Sequence, residues 1–153
     1  MTVRIVPASP AHLLEVGGLR WDDATAAGAQ TGTTRAAFAE QFRDWGEAHS
    51  ATHHGYVGVD TAHRAVLAFG FLAVTPRVPT AERHRRTCAD VQSVWVAPDR
   101  RGDGIGGRLV TALLDLALDL GVEHVTVHSS SRAVTLYERV GFVHDRELLI
   151  HVP

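Results

Sequence analysis

Residues 94–109 read VWVAPDRRGDGIGGRL, and this stretch decides the fold. An apolar strand, predicted over residues 90–96, turns at a proline and passes through a glycine-rich loop into a long amphipathic helix. Strict alternation puts Val91, Ser93 and Trp95 on one face of the strand. Because a helix N-terminus presents unpaired N–H groups and the positive end of its dipole, it suits a phosphate. The stretch therefore predicts an anion-binding loop between strand and helix.

Periodicity and turn residues predict the elements around this stretch. Ser9-Pro10 begins the first helix and Thr33 or Thr34 the second. Ser130 or Ser131 caps a helix that runs to Val140, with Gly141 as the left-handed residue after its end. Further strands are predicted at residues 3–6, 55–60, 65–75, 122–128, 142–144 and 147–152. With no repeat or linker in sight, we expect residues 1–153 to form a single domain of mixed α/β class.

Composition narrows the class of protein. The 153 residues are 45% apolar with a net charge of −2, so no global field attracts nucleic acid, despite the basic run at residues 83–86. No run approaches the roughly 18 apolar residues that span a bilayer, and no signal-peptide core is seen. Cys88 is the single cysteine. We expect a cytoplasmic protein with neither a membrane nor a nucleic-acid partner. All 15 basic residues are arginine, which excludes a Walker A lysine.

Two other ligand classes are disfavoured. Gly102, Gly104 and Gly107 satisfy the dinucleotide pattern G-x-G-x-x-G, but the loop lies too far beyond the strand and the acidic residue expected after the next strand is missing. The ten histidines include no H-E-x-x-H and no Cys/His ligand spacing. We therefore predict neither a nicotinamide cofactor nor a metal.

The deciding stretch resembles the acetyl-CoA segment of the GNAT N-acetyltransferase superfamily. Arg101, Gly104 and Gly106 meet its pattern Arg/Gln-x-x-Gly-x-Gly/Ala, and residues 136–142, LYERVGF, resemble its second landmark. The resemblance is close over about residues 90–142. It implies a mostly antiparallel twisted sheet of six to seven strands, with one splayed parallel pair and about four flanking helices.

The resemblance also implies where acetyl-CoA binds. Pantetheine would lie between the strands predicted at residues 90–96 and 122–128, and the loop amides would hold the pyrophosphate. Ser130 stands near the place where many members have a cofactor-contacting asparagine, and could donate a similar hydrogen bond or cap the helix. The implied cofactor-binding residues are Val94, Trp95, Val96, Arg101, Gly102, Asp103, Gly104, Ile105, Gly106, Gly107 and Ser130.

The implied chemistry is direct transfer of an acetyl group to a primary amine of a small molecule. Tyr137 matches the family's usual acid for the departing thiolate. The base is open between a carboxylate, with Asp90 as leading candidate, and a water molecule. Asp22 and Asp23 could bind or deprotonate the acceptor, or be solvated helix-end charges. A non-catalytic acyl-CoA-binding module of the same fold is the alternative, and either protein is compatible with a homodimer formed through sheet edges.

Overall fold

The computed structural model describes residues 2–153 and contains five strands, four α-helices and one 3₁₀ turn. The strands are β1 (Val3–Pro7), β2 (His53–Asp60), β3 (Val66–Pro76), β4 (Thr87–Val96) and β5 (Val125–Val127). The helices are α1 (Pro10–Ala26), α2 (Arg35–Ala48), α3 (Ile105–Asp119) and α4 (Val134–Arg139), and the turn covers Pro98–Arg100. None of the helices in residues 2–153 is both long and apolar enough to cross a membrane.

The strands form one sheet in the order β1-β2-β3-β4-β5. The first three pairings are antiparallel and the last, between β4 and β5, is parallel, which confirms the predicted mostly antiparallel sheet with one parallel pair. The parallel pairing joins only Ala89–Val91 to Val125–Val127. Beyond Val91 the two strands no longer pair, so the sheet opens along the rest of β4.

Helices cover both faces of the sheet. On one face, α1 contributes Leu13 and Val16 to a core that also contains Phe69 and Phe71 of β3. On the other face, Val110 and Leu113 of α3 pack in one core cluster with residues 72, 89 and 91 of the sheet, and Leu109 packs in another with Ala68. The sheet is therefore buried from two sides, and its open end lies between the helix layers.

The first two helices begin where the sequence predicts. The Ser9 hydroxyl oxygen accepts a hydrogen bond from the His12 N–H at 3.2 Å, with Pro10 as the first helical residue. The Thr34 hydroxyl oxygen accepts one from the Ala37 N–H at 3.2 Å. Each cap satisfies an N–H that has no partner within the helix, which fixes the start of the element.

The last helix differs from the prediction at its start and agrees at its end. It begins at Val134 after a turn, and no side chain caps it, so neither Ser130 nor Ser131 is the cap. At the other end Gly141 has φ +103°, and the N–H of Phe142 donates to the Tyr137 carbonyl at 3.0 Å. A left-handed glycine with this hydrogen bond is a Schellman ending.

The prediction of two final strands, at residues 142–144 and 147–152, is wrong: the segment after α4 has no strand pairing, and the sheet has five strands rather than six or seven. The Asp145 carboxylate accepts the Glu147 N–H at 2.8 Å, which turns the backbone away from an extended course. Apolar side chains of the segment remain exposed, among them Leu149 at 87%. Residues 148–150 are three consecutive apolar residues, so the two-residue period of a half-buried strand is absent.

Candidate active site

A β-bulge interrupts β4 at the point where it leaves β5. Phe71 of β3 pairs with Gln92 and Phe69 with Trp95, so the stretch 93–94 faces the single residue Gly70. Ser93 has φ +56°, which is unusual for a residue with a side chain. Such an extra residue reverses the alternation of the side chains that follow it.

The predicted faces of β4 are therefore wrong beyond Gln92. Val91 and Val94 both pack on the side of α3, although strict alternation assigns them to opposite faces. Trp95 lies on the α1 side, where its ring stacks on Phe69 at 5.2 Å between centroids. Val94, Trp95 and Val96 keep a backbone edge with no strand partner on the β5 side, which is the part that was predicted to contact a cofactor.

The loop after β4 ends in a helix start that no side chain caps. Gly102 and Gly104 have φ values of +89° and +75°, a conformation that glycine adopts without steric cost. The first N–H of α3 to find a partner is that of Arg108, which donates to the Gly104 carbonyl at 3.1 Å. In the described chain the N–H groups of Ile105, Gly106 and Gly107 have no acceptor, so they are available to an anion.

The charged side chains of Arg101 and Asp103 are exposed, and each also contacts the protein. The Nε–H of Arg101 donates to the Val96 carbonyl at 3.2 Å, and the Asp103 carboxylate accepts from Arg100 at 2.9 Å. The Asp103 charge is thereby balanced beside the helix start. Arg101 retains its outer guanidinium N–H groups, which are exposed.

Glycine is required at position 106 for a different reason than at positions 102 and 104. A Cβ built on it would lie 2.8 Å from Leu136 Cδ1 and 3.4 Å from Val96 Cγ2, which is a packing contact between α3 and α4. A side chain here would have to displace the end of the Leu136 side chain, so a substitution at Gly106 would not report on a ligand alone. Gly102 and Gly104 have open space at the same position, but their positive φ strains any other residue, so the anion is best probed there by two variants that share this strain and differ in charge.

Tyr137 is buried beside the separation of β4 and β5. Its ring packs edge-on to Phe142 at 5.5 Å and touches the core formed by Ala89 and Val91. Burial, and secondarily the negative charge of Asp90, raises the pKa of the Tyr137 phenol. The hydroxyl is therefore protonated at neutral pH, which is the state that a proton donor needs.

The structure brings the second predicted catalytic residue close to the first. The Asp90 carboxylate accepts hydrogen bonds from the Thr126 hydroxyl at 3.0 Å and the Gln92 amide at 3.1 Å. These contacts orient the carboxylate at the last paired residues of β4 and β5. Its charge contributes, after burial, to the raised pKa of Tyr137, so the two predicted catalytic residues lie within electrostatic range of each other.

The other predicted residues lie apart from this pair. Asp22 forms a bidentate ion pair with Arg35, both contacts 2.8 Å, and these hydrogen bonds lower the pKa of its carboxyl, which makes it a poor base. Asp23 accepts the indole N–H of Trp95 at 3.3 Å. The Ser130 side chain is exposed and its carbonyl accepts from Ser129 and Ala133. Residues 2–153 contain no group of three His, Cys, Asp or Glu side chains that could hold a metal.

Sequence reasoning missed a cavity on the α1 side of the bulge. It has a volume of about 220 Å³ and is lined by Arg20 of α1, three aromatic rings, His53, and the bulge residues Gln92 and Ser93. The rings are those of Phe42, Trp45 and Phe71. The shift in β4 that carries Ser93 to this wall depends on the bulge, which the regular alternation of the sequence did not predict.

A parallel strand pair that separates along its length, with an uncapped, glycine-rich helix start between its two strands, defines an α/β arrangement with a gap in the sheet and unpaired N–H groups beside it. The acetyltransferase (GNAT) family profile matches residues 18–142, and the chain belongs to this family.

Named relatives agree with this assignment. A glucosamine 6-phosphate N-acetyltransferase of Trypanosoma brucei brucei is 31% identical over 71 residues, which are 46% of this chain; the chain spans about half (48%) of that relative. A predicted acetyltransferase of Clostridium acetobutylicum, solved with acetyl-CoA, has a TM-score of 0.76 at 13% identity, covering 99% of this chain and 96% of its own. Glucosamine-6-phosphate N-acetyltransferase of Arabidopsis thaliana has a TM-score of 0.75 at 17% identity, covering 99% of both chains. The two structures show the shared fold.

Proposed function

We propose that this protein transfers the acetyl group of acetyl-CoA to a primary amine of a small molecule. The observation that carries the proposal is the uncapped start of α3, directly after the unpaired edge of β4. The free N–H groups of Ile105, Gly106 and Gly107 suit a pyrophosphate, and Arg101 adds a cation at the loop entrance. The edge around Val94 and Val96 suits the amides of pantetheine, which would bind as an added strand does.

The reaction assigned to the site is direct attack in a ternary complex. The amine nitrogen attacks the thioester carbonyl, a tetrahedral oxyanion forms, and the C–S bond breaks to release CoA thiolate. Tyr137 would give its phenolic proton to the thiolate. Asp90 would take the proton that the ammonium must lose, directly or through a water molecule, because an alkylammonium has a pKa of about 10.

The acceptor class rests on the relatives and on the space beside the bulge. Two similar proteins bear names of enzymes that acetylate an amino sugar phosphate, which is a small primary amine. The cavity of about 220 Å³ beside Gln92 and Ser93 is of a size for such a molecule and reaches the residue that contacts Asp90. A compact amine is therefore favoured over a folded protein as acceptor.

The test measures thiol release from acetyl-CoA with a panel of small amines, together with the mass of the product. We expect thiol release only when an amine acceptor is present. The product should be heavier than the amine by about 42 Da, because an acetyl group replaces one hydrogen. Acetyl-CoA binding without release for any amine would favour the non-catalytic binding module. Absence of binding would overturn both readings.

A further inference from the structure

The cavity beside the bulge contains a cation with unused hydrogen-bonding capacity. The Arg20 guanidinium lies over the Phe42 ring at 5.6 Å and at 6.0 Å from the Phe69 ring centroid. Across residues 2–153 it makes no hydrogen bond and no ion pair, although arginine carries five N–H donors. Stacking on rings holds the planar head in place while its edge stays available.

The remaining lining supports a negative ligand. None of the seven lining residues is acidic, and the wall opposite the rings offers the Gln92 amide and the Ser93 hydroxyl. The Asp23 carboxylate of α1 does not line the cavity, and it accepts a hydrogen bond from the indole N–H of Trp95 at 3.3 Å. Burial lowers the pKa of Arg20 and the charge of Asp23 opposes this, but a guanidinium remains charged at any physiological pH.

The cavity lies next to the candidate catalytic base, Asp90, because the two share a contact with Gln92. Gln92 lines the cavity and also donates to Asp90, the candidate base, at 3.1 Å. A molecule whose anionic end is bound by Arg20 would therefore extend along Gln92 toward the place where β4 and β5 separate. The rings of Phe42, Trp45 and Phe71 would cover its apolar surface.

We propose that Arg20 binds the anionic group of the acceptor, and that the substrate is a compact amine carrying a carboxylate or a phosphate. This inference rests on the proposed acetyl transfer and names the substrate class of the same site. Carboxylate and phosphate share the recognition that a guanidinium provides through paired N–H groups. The experiment below distinguishes a phosphate-bearing acceptor from a carboxylate-bearing one.

The test compares matched amines that differ only in the anionic group. Glucosamine 6-phosphate against glucosamine probes phosphate, and phenylalanine against phenylalaninamide probes carboxylate. Calorimetry with CoA present measures binding without chemistry, so its outcome does not depend on turnover. In at least one pair we expect the anionic member to bind about 10- to 100-fold more tightly, as lost charge-assisted hydrogen bonds would predict.

Variants assign the preference to one side chain. Arg20→Met keeps the apolar stem against the rings and should abolish the preference, whereas Arg20→Lys keeps the charge without the fork and should retain part of it. Arg43→Met is the control, since Arg43 on α2 pairs with Asp44 and does not line the cavity. Acetyl-CoA affinity and thermal midpoint should be unchanged in Arg20→Met, which shows that it is folded.

Two results would overturn the inference: equal binding of both members in both pairs by the parent protein, or an anionic preference that survives in Arg20→Met. Thiol release with neutral amines alone would reject the anionic acceptor and leave acetyl transfer standing. Failure to bind acetyl-CoA would instead reject the proposed function, so the two failures are distinguishable.

Discussion

The two halves of β4 show how one strand serves both as framework and as a site. The paired half, residues 87–91, has β3 on one side, and its last three residues pair with β5 on the other; Ala89 and Val91 are buried in the core. The open half, residues 92–96, contains the bulge and has no strand on the β5 side. Backbone groups that a sheet would consume are thus left for a ligand where the strand leaves its partner.

The largest effect is expected where the open half leads into α3. Gly104→Asp places a carboxylate at the helix start, whereas Gly104→Asn has nearly the same shape and the same left-handed backbone, with φ +75°, but no charge. Repulsion and loss of two charge-assisted hydrogen bonds, about 1.5–3 kcal/mol each, should weaken acetyl-CoA binding on the order of a hundredfold or more in the Asp variant.

Titration calorimetry on the two Gly104 variants decides this prediction. The Asn variant should bind acetyl-CoA nearly as the parent does, because asparagine tolerates the left-handed region. Equal acetyl-CoA affinity in the Asp and Asn variants would contradict the proposal that the pyrophosphate binds at the start of α3. Gly106 is unsuited to the experiment, since its substitution disturbs the contact with Leu136.

The next effect concerns Tyr137, at the junction of the two halves. Tyr137→Phe keeps the ring against Phe142 and removes only the hydroxyl. If that hydroxyl protonates the leaving thiolate, turnover should fall on the order of a hundredfold with little change in acetyl-CoA affinity. Tyr56→Phe, at the only other tyrosine, is the control and should leave turnover unchanged. A lower thermal midpoint with turnover within about threefold of the parent would make Tyr137 a packing residue.

A third prediction tests the bulge itself: the order of stability of two Ser93 variants should be the reverse of that in a regular strand. In a regular strand Ser93→Val should stabilise and Ser93→Gly destabilise, within a span of about 1 kcal/mol. At φ +56° the order reverses, because left-handed backbone costs an L-residue about 1–2 kcal/mol and a β-branched one more. We expect the Gly variant to match or exceed the parent in free energy of unfolding and the Val variant to fall below it. The opposite order in denaturant titrations would contradict the bulge.

Sequence patterns predicted the elements that local chemistry determines. Ser9 and Thr34 fix helix starts through their own side chains, and Gly141 ends α4 because it alone takes φ +103° there without strain. The resemblance around residues 90–142 located the glycine-rich loop before α3, and its assignment of Tyr137 and Asp90 as an acid–base pair stays a prediction. These are properties of a few neighbouring residues, so the sequence records them directly.

Other features depend on pairing across the chain and were missed. The bulge follows from how β4 meets Gly70 of β3, and nothing within residues 90–96 signals the extra residue. Two final strands were expected, but a strand also needs a partner, and within the described residues 2–153 none pairs with residues 142–153. No sequence motif marks Arg20. Its place beside the cavity follows from the packing of α1, which brings the guanidinium over the Phe42 ring.

The smallest effect is expected in the paired half, where an ion pair joins the start of β4 to the segment before β5. Arg86 donates to both carboxylate oxygens of Glu123, at 2.7 and 2.9 Å, and Arg77 and Arg83 lie within 3.9 and 3.4 Å. The hydrogen bonds from Arg86, followed by the charges of the arginines, lower the pKa of the Glu123 carboxyl. The stabilisation is therefore present above the unfolded-state pKa and is lost as the pH falls through the lower folded-state value.

Glu123→Gln should reduce the thermal midpoint at neutral pH, and the difference from the parent should shrink to nothing in acid, where the parent carboxyl is protonated too. Glu47→Gln is the matched control: Glu47 is half exposed and 3.9 Å from Arg43, so solvent screens the pair and little change is expected at any pH. Acetyl-CoA affinity should stay constant in both variants, because the paired half is framework. If Glu123→Gln weakened acetyl-CoA binding while its thermal midpoint matched the parent, the division of β4 into a framework half and a ligand half would be wrong, and the ion pair would belong to the binding site.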